Sequence, residues 1–125
     1  NAIEHMQSRG LNTTKFAWIP NGISLSELQN PEPLSHQIIE KVPKQKFIIG
    51  YTGTLGMANA MHYLIEAAKL VADVTEIHFV LVGAGREKSN LIQQAQSLNN
   101  ITFIEPIPKD QIQSMLAEFD VCYIS

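Results

Sequence analysis

No internal disulfide can form in this chain, because its 125 residues contain one cysteine, Cys122. A lone thiol of this kind fits a reducing compartment. It sits inside the apolar run 121–124 and therefore reads as buried rather than reactive. Excess charge is also lacking. Nine basic and twelve acidic residues leave a net charge of −3 and a pI near 5.7, which gives no field to attract nucleic acid or an anionic membrane. The basic residues are scattered, except for Lys41, Lys44 and Lys46, which read as a solvated approach to a strand. No apolar run nears the ~20 residues that span a bilayer. No two histidines stand at a metal-ligand spacing: His5 and His36 lie in polar segments, His62 follows Met61 in a helical pattern, and His78 interrupts a strand beside Phe79. The expectation is no metal site. Internal repeats and low-complexity tracts are absent as well.

A hydrophobic content of 45% is enough to bury one full core. Four apolar runs, 47–51, 77–82, 101–104 and 121–124, are short, rich in β-branched or aromatic residues and mostly continuous. Strands buried on both faces of a parallel sheet have this composition. Three helical patterns separate them. Met61, Leu64, Ile65, Ala68, Val71 and Ala72 make the first; Leu91, Ile92, Ala95 and Leu98 the second; Ile112, Met115, Leu116 and Phe119 the third. Pro108 precedes the third helix, where a missing N–H costs nothing, and Asp110 lies in its first turn, where a carboxylate complements the dipole. The alternation predicts an α/β fold with a doubly wound parallel sheet. Residues 1–46 differ: 16–19 read as a short strand before a Pro20-Asn21-Gly22 turn, and 29–46, with Pro31, Pro33 and Pro43, as a connector with one short helix around Ile38 and Ile39. Trp18 reads as a plug between this connector and the sheet. The chain begins at Asn1 inside a helical pattern and stops at Ser125 after a strand, so the expectation is a piece of a larger protein.

Two glycine clusters close the first two strands. Gly50-Tyr51-Thr52-Gly53-Thr54-Leu55-Gly56 runs from the first strand towards the first helix, and Val82-Gly83-Ala84-Gly85 ends the second. A strand, a glycine loop and then a helix direct main-chain N–H groups and a helix dipole at one place, which suits phosphate. A turn that needs glycine only for its backbone angles accounts for the first loop equally well. In open α/β sheets ligands lie outside the carboxyl ends of strands, so two such loops reinforce each other. A dinucleotide fingerprint is disfavoured, since Lys88 stands where its third glycine belongs and no acidic residue ends the second strand. Tyr51, at the strand end, reads as packing.

Ile19-Pro20-Asn21-Gly22-Ile23, the 50–56 loop, Leu81-Val82-Gly83-Ala84-Gly85, Asn100-Ile101-Thr102-Phe103-Ile104 and Phe119-Asp120-Val121 occur in that order. Together they resemble the carboxyl-terminal half of retaining glycosyltransferases of family four, whose two Rossmann-like domains form the GT-B arrangement. The likeness covers essentially the whole chain and is greatest to bacterial enzymes of cell-surface polysaccharide synthesis. It implies that 47–125 is a Rossmann-like donor-binding domain, and that 1–46 is the interdomain connector with a remnant of the amino-terminal domain. Gly53, Thr54, Leu55 and Gly56 would face the diphosphate of a nucleotide-sugar donor, such as a UDP-sugar, through main-chain N–H groups and the Thr54 hydroxyl. Gly83 and Gly85 would line the nucleotide pocket. Ile107, in Glu105-Pro106-Ile107-Pro108, would touch the base; packing under the third helix explains it equally well.

The resemblance further implies a glycan or lipid-linked acceptor held by the other domain, no cofactor and no obligatory metal. It also implies a cytoplasmic location, with peripheral association at the inner face of the cell membrane. Three departures stand out. The residues 57–61 carry no arginine or lysine to neutralise a diphosphate, Ser24 replaces an aspartate, and the family's pair of glutamates would lie beyond Ser125. The expected catalytic set is therefore empty, and the piece should fold without turning over. Two rival readings remain: a nucleotide-sugar epimerase of the same architecture, and a non-catalytic nucleotide-binding α/β module.

Overall fold

The computed structural model describes residues 2–12, 14, 17, 19, 22 and 25–124. Most of the expected strand and turn over 16–22, together with Trp18 and Ser24, lies outside the described residues. Short helices α1 (Ala2–Ser8), α2 (Leu25–Gln29) and α3 (His36–Ile39) precede β1 (Phe47–Thr52). The order then runs α4 (His62–Leu70), β2 (Ile77–Val82), α5 (Lys88–Gln94), β3 (Ile101–Ile104), α6 (Ile112–Leu116) and β4 (Val121–Cys122). The strands form one parallel sheet in the order β3-β2-β1-β4. This is the doubly wound, Rossmann-like α/β arrangement that the alternation of apolar runs predicts.

Side chains alternate across a strand, and here the alternation sorts them into two cores. Ile49, Tyr51, Phe79, Leu81, Ile101 and Phe103 face one side, where α4 contributes Leu64, Ile65 and Ala68 and α5 contributes Leu91. Ile48, Val80, Val82 and Ile104 face the other, against Met115 of α6 and Ile38 and Ile39 of α3. Continuous apolar strands are needed because both faces are covered. Leu34 and Val42, from the proline-bearing connector, are buried in this second core. The connector is also tied to α6: the Glu32 N–H donates to Asp110 O at 3.1 Å, and Ser114 Oγ donates to Glu32 O at 2.6 Å.

The fourth strand departs from expectation. Among the described residues it pairs for two residues only, on one side, against Ile49 and Gly50. Cys122 is exposed, which corrects the buried reading, and Ile124 is 88% exposed. An edge strand has one neighbour, so an apolar run there does not guarantee cover on both faces. Polar contacts help hold it in place: Asp120 Oδ2 accepts the Ile48 N–H at 2.7 Å, and the Asp120 N–H donates to Ile48 O at 3.0 Å. Ile92, assigned to an apolar helix face, is exposed as well.

His78 is buried within β2, with Nε2 2.8 Å from Thr102 Oγ1 on β3. Burial, helped by the charge of Lys46, lowers its pKa below 6.5. The folded chain therefore resists a proton that the unfolded chain accepts. The stability from neutral His78 is fully present above pH 6.5 and is lost as pH falls from there towards the lower folded value. Thermal unfolding between pH 7.5 and 5 should show this decline, and His78→Gln should flatten the part that begins near 6.5.

Candidate functional site

The two glycine loops meet at the carboxyl edge of the sheet and interlock through their backbones. The Gly53 N–H donates to Val82 O at 3.0 Å and the Gly83 N–H to Ile104 O at 3.1 Å, so each loop begins by extending the sheet ladder. Beyond that the first loop lies directly on the second. The Leu55 N–H donates to Ala84 O at 2.9 Å, and the Glu87 N–H donates to Leu55 O at 3.1 Å. A Cβ on Gly83 would stand 1.9 Å from Gly53 O, and one on Gly85 2.1 Å from Leu55 O. Glycine is required at both positions because a neighbouring backbone occupies the side-chain space. Gly56, by contrast, is extended (φ −129°) and its nearest hypothetical Cβ contact is an ordinary 3.7 Å.

The first loop is stiffened from below. Asn59 Nδ2 donates to Thr54 O at 2.7 Å and to the Tyr51 hydroxyl at 2.8 Å, while that hydroxyl donates to Thr54 O at 3.0 Å. Tyr51 is buried, as the packing reading expects, and its hydroxyl helps hold the loop. The helix does not start directly behind the glycines. A 3-10 turn at Met57–Asn59 and a left-handed Ala60 (φ 50°) intervene before α4, so the dipole of α4 begins farther from the loop than the sequence suggests.

A cavity of about 300 Å³ opens where these loops meet the end of β3. Gly53, Thr54 and Gly83 line it together with Ile107, so residues from three separate strand ends share one space. Val82, Ala84, Pro106 and Ile112 complete its wall. The sequence reading did not single out these four for binding. The available signal was position: Val82 ends β2 and Ile112 starts α6, both at the carboxyl edge of the sheet. Ile107 also packs against the second core, as its packing reading expects.

The other expected residues serve differently. Leu55 is 0% exposed and plugs the first core. Its N–H, and those of Gly53 and Gly56, are bonded within the chain, the last to Thr54 O at 3.1 Å. Gly56 borders a separate groove between α4 and α5, and Gly85 backs the loop contact. The N–H groups of Thr54 and Ala84, both in the cavity wall, carry no hydrogen bond to a described residue. Two free donors, beside the Thr54 hydroxyl, on a wall otherwise made of apolar side chains and glycine suit an anionic or carbonyl-bearing ligand. A second cavity of about 340 Å³ adjoins the ends of β1 and β4 and is lined by Gly50, Tyr51, Thr52, Asn59, Leu116 and Cys122, among others. It lies where the strand order reverses, the usual crevice for ligands in such sheets.

Among the described residues, no group of three or more His, Cys, Asp or Glu could hold a metal ion, and no helix is long and apolar enough to cross a membrane. A search of curated proteins returns no match to the chain. A family model, glycosyl transferases group 1, matches residues 46–125, from the residue before β1 through β4. With the parallel Rossmann-like sheet and a cavity at its carboxyl edge, that match shows that the chain belongs to the glycosyl transferases group 1 family.

Proposed function

We propose that this chain is the donor-binding part of a retaining, family-four hexosyltransferase of the two-domain GT-B type. The donor is a nucleoside diphosphate sugar, with UDP-sugar the preferred reading, and the acceptor is a glycan or lipid-linked glycan held by the amino-terminal domain. Residues 1–46 are assigned to the crossing between domains, and the enzyme to surface polysaccharide synthesis on the cytoplasmic side of the membrane. The observation that carries this reading is the cavity shared by Gly53, Thr54, Gly83 and Ile107 in a chain of this family. Its apolar wall, with Ile107, takes the base, while the free N–H groups of Thr54 and Ala84 and the Thr54 hydroxyl take the diphosphate.

Catalysis in such a transfer depends chiefly on stabilising the departing diphosphate, for which preorganised donors are more effective than solvent. The residues that line the cavity carry no charge, so its main-chain dipoles do that work here. Closure of the acceptor domain would complete the site and exclude water. The 125-residue chain should bind donor without transferring sugar, and measurable transfer by it would refute this assignment. Calorimetry with UDP, GDP and phosphate tests the central claim. UDP should bind with a dissociation constant of roughly 10 μM to 1 mM, more tightly than GDP or phosphate. Heats no larger than dilution for all three would remove the donor-binding reading.

A further inference from the structure

Lys88 starts α5, yet its ammonium reaches back to the sheet edge. Nζ donates to Gly83 O at 3.0 Å, to Ile104 O at 3.4 Å and to Glu105 Oε1 at 2.7 Å. The side chain is 14% exposed, whereas that of Glu105 is 78% exposed. An ammonium has three donors, and all three are used. This cation is thus already neutralised and bound to two carbonyls and a carboxylate. It sits where β2 and β3 release the two segments that wall the cavity, 83–84 and 106–107. The Gly83 N–H also bonds to Ile104 O, so Lys88 reinforces a junction that the backbone closes with one hydrogen bond.

We infer that Lys88 is a positioning residue: it holds the 83–85 and 105–107 segments at the separation that grips the base, and leaves the phosphates to main-chain donors. This rests on the donor-binding reading above. A cation that touched diphosphate would have to abandon its present partners, so Lys88 acts through the cavity wall and not on the ligand.

The test is calorimetry on the 125-residue chain with uridine, UDP and inorganic pyrophosphate as separate titrants. Lys88→Met should weaken uridine and UDP about tenfold, equivalent to about 1.4 kcal/mol, and pyrophosphate by a smaller factor, because Ala84 lies in a held segment but Thr54 does not. A general loss of structure would not separate the two ligands. Glu105→Gln, a change at an exposed side chain, should weaken uridine by a smaller factor and pyrophosphate less still, which decides the matter should Lys88→Met fail to fold. A loss for pyrophosphate equal to or larger than that for uridine would overturn the inference. Unchanged uridine affinity in both variants would overturn it too, with the donor-binding reading intact. Failure of the wild-type chain to bind any of the three removes both together.

Discussion

Gly83→Ala should destabilise the chain by about 2–6 kcal/mol, the sum of an overpacking cost and a backbone strain cost. The new methyl would fall 1.9 Å from Gly53 O, a main-chain atom that cannot rotate away, at a residue whose φ is +150°. Either the first loop lifts off the second, or β2 and β3 shift beneath it. A domain of this size holds roughly 5–15 kcal/mol in total, so a large part of its stability would go, and any variant that still folds should lose the cavity. Gly56→Ala is the matched control. It lies in the same loop, but with extended backbone and a nearest contact of 3.7 Å, and its stability should stay within about 0.5 kcal/mol of wild type. Urea unfolding of both variants would check this. Equal midpoints for the two would mean that the loops are not interlocked.

Leu55→Ala should cost about 2–5 kcal/mol, as for other fully buried leucines. Leu55 is the only residue of the 53–56 loop whose side chain is fully enclosed, and it joins the cluster that includes Met61, Ile65, Leu81 and Leu91. Truncation leaves a cavity in the first core and removes the anchor that holds the loop on the sheet. The expected readout is a lower unfolding midpoint together with weaker UDP binding, because the Thr54 N–H would lose its fixed orientation. Ile107→Ala separates these effects: half-buried at the cavity wall, it should weaken binding more than it lowers stability. A Leu55→Ala chain as stable as wild type would show that the loop is not anchored through this side chain.

The strands were legible because a parallel sheet covered on both faces requires continuous apolar runs, and 47–51, 77–82 and 101–104 contain little else. The same reasoning misjudged Cys122 and Ile124, since an apolar run looks alike in the centre of a sheet and at its edge. Gly53, Thr54, Gly83 and Ile107 line one cavity; the strand-end rule pointed to the two glycine loops, whereas Ile107 came from the resemblance alone. The role of Leu55 was not anticipated, because the direction of a side chain in a tight loop follows from which backbone lies beneath it.

Local pattern and composition thus sufficed for the class of fold and for the four strands from Phe47 onward, since these follow from short-range periodicity. They could not say which glycines make room for another main chain, which N–H groups stay free, or that Lys88 would span two strand ends. Those properties depend on contacts between segments far apart along the chain. No single stretch carries them until the sheet has brought those segments within a few ångströms of one another.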